Sequence, residues 1–195
     1  LVNCNNNFTW AKWVTPSRDL ISTFKQEGDE VRFKESVVYY DCGWSNYYPS
    51  DNYPFMYKCR SANSSIIKYR YADVLLLKAE ALIMQDTPDL EGAADIIDEV
   101  RDRAKLGALS SSTRSNKDAL LNALLKERRL ELAFEGQRWF DLVRLDKVEE
   151  VMNAVHAKDS GRKAQVYTYD KNSYRLPIPQ SVIDANDKIH QNPGY

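Results

Sequence analysis

Residues 70–85 read RYADVLLLKAEALIMQ. Apolar side chains occupy almost every side of a helix with 3.6 residues per turn, a pattern typical of a helix packed on more than one side. Asp73, Lys78 and Glu80 interrupt the stretch, which is also shorter than the roughly 20 apolar residues that span a membrane. We therefore expect a central helix in a mainly α fold, and no membrane span.

Three further helices are expected after this one. Beyond the break at Asp86-Thr87-Pro88, apolar residues recur at three- and four-residue steps from Leu90 to Ala104, and Gly107 is the expected end of that helix. A Ser-rich loop from Leu109 leads to Ser115 or Asn116, either of which can cap a helix from Lys117 to about Glu135, closed by Gly136. A fourth helix follows, with Trp139 and Phe140 at its entrance and an apolar stripe from Leu142 to Val155.

The helices are expected to form two pairs. The pairs begin near Arg70 and near Asp118, and each takes on the order of 34 to 40 residues, which is close to a tetratricopeptide-type hairpin. The predicted fold is thus a set of tetratricopeptide-like α/α superhelical pairs. We divide the chain into an irregular loop and strand region, residues 1–65, and a helical region, residues 66–195, which together form one domain.

Both ends of the chain differ from this helical part. Pro16 and Ser17 can open a short helix through Phe24, and the β-branched and aromatic residues of Val31 to Tyr40 indicate a strand. Gln165 to Tyr169 and Tyr174 to Ile178 alternate around a polar turn, which predicts a small C-terminal β-hairpin.

Charge and cysteine content exclude several classes of protein. Lys and Arg number 27 and Asp and Glu 28, so the formal net charge is −1, and a cationic surface for nucleic acid is not expected. Cys4, Cys42 and Cys59 have no metal-site spacing, so they form either a Cys42–Cys59 disulfide or free thiols. The chain begins at Leu1 with no signal-peptide pattern, which suggests a processed or truncated piece of a longer protein.

The richest set of charged residues lies between Lys126 and Asp141. Glu127, Glu131 and Glu135 stand four apart on one helix face, so a metal site or a catalytic carboxylate pair must be weighed against a structural ion network. Di-iron helices need Glu-x-x-His pairs, and neither histidine lies here. We expect a structural network, in which arginines from neighbouring turns neutralise the carboxylates. Its expected members are Glu127, Arg128, Glu131, Glu135 and Arg138.

The sequence contains no phosphate loop, no GxSxG and no HExxH. We therefore expect no enzyme activity, no metal and no cofactor. A glycosidase that uses Glu127, Glu131 or Glu135 is the least supported alternative.

Aromatic residues are concentrated in the first third of the chain. Flat rings on ordered loops match the apolar C–H faces of sugars, although large aromatics also fill cores and interfaces. Loop-forming neighbours favour the ligand role for Trp44, Tyr47 and Tyr48. The candidate ligand-binding residues are Trp44, Tyr47, Tyr48, Trp10, Trp13 and Asn46.

Four motifs in order resemble the C-terminal part of the SusD/RagB-like outer-membrane nutrient-binding lipoproteins. They are Thr15-Pro16-Ser17-Arg18-Asp19-Leu20, Tyr69 to Leu77 with Ala79-Glu80-Ala81, the run from Glu127 to Arg144, and Leu176-Pro177-Ile178-Pro179-Gln180 with Gln191 to Tyr195. The stretch from Val100 to Ala104 matches a smaller motif, and the resemblance extends from about Thr15 to Tyr195.

The resemblance implies a non-enzymatic cell-surface protein of the outer membrane, lipid-anchored in its full-length form. Such proteins capture glycans, or peptides in some members, for uptake through a SusC-like TonB-dependent transporter. The family's N-terminal half and lipid anchor are not found in this sequence, and Cys4 is not the expected lipidation site. The alternative is a helical-repeat domain for protein–protein interaction that has no ligand site of its own.

Overall fold

The computed structural model of the chain is mainly helical and describes residues 2–3, 14–41, 52–58, 67–158 and 168–195, with only the backbone for residues 2–3 and 156–158. It divides into two units, Leu1–Arg138 and Trp139–Tyr195. The first unit contains helices α1 (Arg18–Glu27), α2 (Glu30–Ser36), α3 (Tyr71–Met84), α4 (Leu90–Arg103), α5 (Ser111–Arg114) and α6 (Lys117–Glu131), and strands β1 (Val2–Asn3), β2 (Val37–Asp41) and β3 (Tyr53–Met56). Helices α7 (Arg138–Arg144), α8 (Val148–Lys158) and α9 (Gln180–Asp184) follow, with a 3₁₀ helix at Lys171–Tyr174.

Helices α3, α4 and α6 enclose the main core of the first unit. Leu76, Ala79 and Ile83 of α3 are fully buried and pack with residues of the other two helices, Ala93, Ala94, Ile97, Val100, Leu120 and Leu124. The spacing of the α3 residues, three and then four, keeps them on one face of that helix. The expected central position of α3 is confirmed, but its remaining face is open, since Tyr71 and Val74 are exposed.

Two helices begin at the caps that the sequence indicated. The Ser17 hydroxyl accepts a hydrogen bond from the Leu20 amide at 3.1 Å, and the Asn116 side chain accepts one from the Ala119 amide at 2.9 Å. Each cap satisfies an amide that has no partner within the first turn of its helix.

The prediction of a strand over Val31–Tyr40 is wrong for the first half of that range. Residues Glu30–Ser36 form α2, and only Val37–Asp41 is a strand. The Asp29 carboxylate caps α2 by accepting the Arg32 amide at 3.1 Å, and Arg32 and Ser36 are buried on one helical face. Tertiary burial of this polar face outweighs the local β preference of the sequence.

Helix ends account for most of the other corrections. Helix α4 ends at Arg103, not near Gly107, because Lys105 adopts a left-handed φ of 63° and the amides of Lys105 and Leu106 bond back to Asp102 and Arg101. Asp146, with φ 53°, ends α7 in the same way and splits the single helix expected there into α7 and α8. These are Schellman ends, in which glycine is usual but not required.

The end of α6 and the Ser-rich loop also differ from expectation. Helix α6 stops at Glu131, and turns that include Phe134 with φ 67° continue to Gly136. The loop after Leu109 contains the short helix α5, capped by Ser110. The tetratricopeptide-like pairing and the domain division at residue 66 stay predictions.

The prediction of a C-terminal β-hairpin is wrong over the described residues, which form no strand there. The Asp170 carboxylate accepts the amides of Asn172 and Ser173 at 2.9 and 3.1 Å, and the Ser173 hydroxyl accepts the Asp170 amide, so the polar turn closes into a 3₁₀ helix. Downstream, the amide group of Gln191 bonds both the N–H and the carbonyl of Ile178 and takes the place of a strand partner. Residues 165–167 of the expected first strand lie outside the described residues.

A short mixed sheet lies beside α2. Strand β2 pairs in parallel with β1 and antiparallel with β3, and Tyr40 lies opposite Tyr53. In the part of the chain that the structure describes, no helix is long and apolar enough to cross a membrane.

Candidate functional site

The six aromatic and amide residues proposed to bind ligand, Trp10, Trp13, Trp44, Asn46, Tyr47 and Tyr48, lie outside the described residues. The same holds for Cys4, Cys42 and Cys59. The structure does describe the two strands that flank residues 42–52, which contain Trp44, Asn46, Tyr47 and Tyr48.

The ends of this connection are fixed by aromatic packing at the base of the β2–β3 pair. Phe55 is fully buried, with its ring centroid 5.1 Å from that of Tyr40 in an edge-on arrangement and 4.8 Å from that of Tyr53. Cross-strand aromatic contacts of this kind stabilise a two-stranded unit. The two strands on either side of the aromatic-rich connection are therefore held together by the rings of Tyr40, Tyr53 and Phe55, which we call the packed base.

The described residues also contain a buried ion network around the C-terminal part of α6. Glu127 is fully buried, and Glu131 is 2% exposed. Glu135 follows in the turn after the helix and is nearly as buried. We refer to these three glutamates as the carboxylate row.

Helix α2 contributes the most buried cation to the carboxylate row. Arg32 donates through Nη1 to Oε1 of Glu127 at 2.6 Å and to Oε2 of Glu131 at 3.1 Å. Its Nε donates to Oδ2 of Asp29 at 2.5 Å, while Nη2 is buried and has no hydrogen-bond partner among the described residues.

Two cations, just after β3 and just before α3, bind the end of α6. Arg70 donates from Nε to Oε2 of Glu135 at 2.8 Å and from Nη2 to the Glu131 carbonyl at 2.6 Å. Lys58 donates to the same carbonyl at 2.7 Å and pairs with Oε1 of Glu135 at 2.5 Å. Carbonyls in the last turn of a helix lack intrahelical partners and carry partial negative charge, so both contacts stabilise this helix end.

Helix α4 supplies two more cations from its last turn. Arg101 lies 3.3 Å from Oε2 of Glu127, and Arg103 pairs with Oε1 of Glu131. Arg101 also pairs with Glu27 of α1, so the carboxylate row is linked to α1, α2 and α4 as well as to the segments around Lys58 and Arg70.

The two arginines that we expected in the network, Arg128 and Arg138, are also described. Arg128 lies 2.9 Å from Oδ1 of Asp73 in α3, with both side chains buried. Arg138 donates to the carbonyl of Leu125 at 3.0 Å.

Sequence reasoning missed the cations that contact the carboxylate row, because they come from other elements. Arg32 is 95 residues from Glu127, and no local spacing relates the two. Arg101 and Arg103 belong to the Val100–Ala104 motif and lie in the last turn of α4. That position was the one feature of the sequence that could have indicated a role in binding carboxylates.

The electrostatics of the carboxylate row favour a structural role. Burial alone would raise the pKa of Glu131, but the hydrogen bonds and charges of Arg70 and Arg103 outweigh it and lower that pKa to about 2. Burial likewise opposes the shift at Glu135, yet Arg70 and Lys58 lower its pKa. Burial raises the pKa of Glu127 despite Arg32 and Arg101. A carboxyl with a pKa near 2 has no proton to donate at neutral pH, so Glu131 does not fit a general acid.

A cavity of about 260 Å³ opens beside the carboxylate row. The cationic side chains of Arg32, Lys58, Arg70 and Arg103 line it, together with Glu131. The rest of its lining comes from Val31, Glu35, Ser36 and Ala104. In the described part of the chain, no group of three or more His, Cys, Asp or Glu is arranged to hold a metal ion.

Comparison with known proteins gives consistent matches. The sequence model of the SusD family matches residues 51–195. The SusD-like protein P38 of Formosa agariphila is 41% identical over 139 residues, which are 68% of this chain and 25% of that protein. The chain thus spans about a quarter of the length of this curated relative.

Two solved structures extend the comparison to the fold. A SusD superfamily protein from Bacteroides vulgatus superposes with a TM-score of 0.69 at 22% identity, over 93% of this chain and 44% of that one, which shows a shared fold. A laminarin-binding SusD-like protein superposes with a TM-score of 0.56 at 27% identity, over 91% of this chain and 37% of that one.

Proposed function

Since the chain belongs to the SusD family, we propose that it takes part in capturing glycans at the cell surface for uptake through a SusC-like TonB-dependent transporter. The family match over residues 51–195 carries this proposal. The similarity to a laminarin-binding SusD-like protein supports a polysaccharide as the ligand. The full-length protein would be held at the outer membrane by a lipid anchor.

The proposed ligand face is the connection between β2 and β3. It carries Trp44, Tyr47 and Tyr48 together with Asn46, a combination of flat rings and amide groups that suits the apolar faces and hydroxyls of a sugar. The packed base formed by Tyr40, Phe55 and their neighbours supports this assignment, because a binding loop loses less entropy on binding when its ends are already fixed. Trp10 and Trp13 are proposed to extend the same face.

The proposed role is binding without catalysis. The carboxylate row is engaged by arginines and a lysine from several elements, and its members serve to hold those elements together. These are the residues that a glycosidase hypothesis would need, and their ion pairs support a structural role for them.

Native gel electrophoresis in gels that contain laminarin or other polysaccharides tests the proposal. We expect at least one polysaccharide to retard the parent chain, and Trp44→Ala or Tyr47→Ala to remove the retardation. Tyr71→Ala is the matched control, because Tyr71 is an aromatic residue of α3 with 72% exposure. Absence of retardation of the parent by every polysaccharide, or equal retardation of all variants, would overturn the proposal.

A second candidate function is a protein-binding helical domain without a glycan site. The open face of α3 favours it, because Tyr71, Val74 and Met84 are all more than half exposed on this helix. This alternative predicts that a glycan array gives no binding while the extracellular face of the transporter binds the chain. Binding that Val74→Asp abolishes, with no glycan bound, would favour the alternative over glycan capture.

A further inference from the structure

Two of the three cysteines come directly after paired strands. Cys4 is the next residue of the chain after β1, and Cys42 is the next residue after β2. Both lie outside the described residues, but the pairing of the strands that lead to them is described. Strands β1 and β2 run parallel, and their last described pair is Asn3 opposite Asp41. The next pair in this register is Cys4 and Cys42.

The spacing of paired strands suits a disulfide. Neighbouring strands of a sheet lie about 4.8 Å apart, and a disulfide joins residues whose Cα atoms are about 4.4–6.8 Å apart. Residues opposite each other in a parallel pair also direct their side chains to the same face of the sheet. A register that continues by one residue therefore meets both requirements for a bond between Cys4 and Cys42.

The alternation of side chains relates this pair to the packed base. Tyr40 is two residues before Cys42, and side chains two residues apart in a strand share a face of the sheet. The ring of Tyr40 lies 5.1 Å from that of Phe55, which is fully buried. Cysteine is among the residues most often buried, so the apolar side of the sheet suits the pair.

The third cysteine, Cys59, does not fit the described register. It is the second residue after Tyr57, whose amide donates to the carbonyl of Ser36 at 2.7 Å. Ser36 directly precedes β2 and Cys42 directly follows it, and the residues of β2 between them span about 17 Å. Two residues of chain reach about 7 Å, so a bond from Cys59 to Cys42 would exceed the limit of about 7 Å between Cα atoms.

We propose that Cys4 and Cys42 form a disulfide that joins β1 to β2 and leaves Cys59 as a free thiol. The two thiols lose their protons and give two electrons to a disulfide oxidant such as oxidised glutathione, which leaves as two thiols. The pairing follows from the register and does not rest on the proposed function. The bond would tie the segment that carries Trp10 to the connection that carries Trp44.

Peptide mapping of the oxidised chain tests the pairing. The folded chain is incubated with oxidised and reduced glutathione, and its remaining thiols are alkylated. Trypsin then separates the three cysteines into peptides 1–12, 35–58 and 59–60. We expect mass spectrometry to show the first two peptides joined by a disulfide and the third alkylated. Any bond that includes Cys59, or alkylation of all three cysteines, would overturn the proposal.

Oxidation in concentrated urea is the matched control. An unfolded chain favours closure of the shortest loop, which here is the loop between Cys42 and Cys59. The unfolded chain should therefore form mainly that bond, and the folded chain should reverse the preference. The same mixture of bonds under both conditions contradicts selection of the pair by the fold.

Two variants test the position of each thiol in the folded chain. In Cys4→Ser, both remaining cysteines should be alkylated, because the register keeps them apart. In Cys59→Ser, the bond between Cys4 and Cys42 should form as in the parent. A bond between Cys42 and Cys59 in the folded Cys4→Ser variant would refute the argument from register, and so would loss of the bond in Cys59→Ser.

Discussion

Arg70 donates through Nη1 to Oε1 of Glu131 at 2.6 Å, and its Nη2 donates to the carbonyl oxygen of the same residue at 2.6 Å. One guanidinium thus binds both the side chain and the backbone at the end of α6. Because Arg70 immediately precedes α3, this contact fixes the start of the central helix against the end of α6. We infer that the ion network helps to set the arrangement of these helices, a role that buried polar groups have in some other proteins.

Glu131→Ala should lower the free energy of unfolding by about 3–5 kcal/mol, because it removes a buried carboxylate that Arg32, Arg70 and Arg103 all contact. Urea denaturation followed by circular dichroism measures the change. Glu91→Ala is the matched control, since Glu91 is a highly exposed glutamate paired with Arg114 and its removal should leave the midpoint nearly unchanged. Similar midpoints for the two variants would contradict the structural role of the carboxylate row.

The Asp73–Arg128 pair allows a test of rescue. Asp73→Ala should destabilise the chain by about 3–5 kcal/mol, because Arg128 would remain buried without this partner. Adding Arg128→Met should restore much of the loss, since an apolar side chain of similar length removes the buried charge. A double variant that is less stable than Asp73→Ala would show that Arg128 stabilises the fold through contacts other than Asp73.

Stability should fall as the pH drops from about 5 to 2. The pKa of Glu131 is about 2 in the folded chain against 4.5 for the free group, so its contribution is complete above the unfolded value and is lost on acidification. The difference corresponds to about 3 kcal/mol. The lowered pKa values of Glu27 and Glu135 act in the same direction, whereas the raised pKa of Glu127 offsets part of the loss.

Glu131→Gln isolates this contribution. The variant should be less stable than the parent at pH 7, and the two should converge near pH 2 in denaturation experiments. A constant stability difference between pH 7 and 2 would show that Glu131 is not the group responsible.

Gly28→Ala should lower the free energy of unfolding by about 1 kcal/mol, because Gly28 ends α1 with a left-handed φ of 67° that alanine adopts only at a cost. Apart from its chain neighbours, no atom lies within 4 Å of the position of an added Cβ, so the new methyl group has room. The cost is thus one of backbone conformation alone, and Gly28→Asn should be milder. Gly107→Ala is the control, since Gly107 has equal space and lacks a left-handed φ. A thermal melt of each variant gives the comparison, and an equal loss at both glycines would refute this explanation.

Local features of this fold could be predicted from the sequence, and non-local ones could not. The caps at Ser17 and Asn116 were found because cap and amide lie three residues apart. The ends at Lys105 and Asp146 were missed because residues other than glycine rarely adopt a left-handed φ, and backbone hydrogen bonds compensate for that preference here.

The site divides in the same way. Helical spacing places Glu127 and Glu131 on one face of α6, so this part of the site could be predicted. That arginines would pair with the two carboxylates could also be predicted, although not which arginines. Arg32 could not be assigned as a partner, because it is 95 and 99 residues away from the two carboxylates in the sequence and only the tertiary fold brings them together.

The most direct test of glycan capture by the β2–β3 connection is the thermal shift produced by the polysaccharide that retards the parent chain most strongly. At about ten times its dissociation constant, the ligand should raise the Tm of the parent and of Tyr71→Ala by about 3–5 °C. Trp44→Ala should melt at the parent's Tm without ligand and show no shift with it. A full shift in Trp44→Ala, or none in the parent, would contradict glycan capture by this connection.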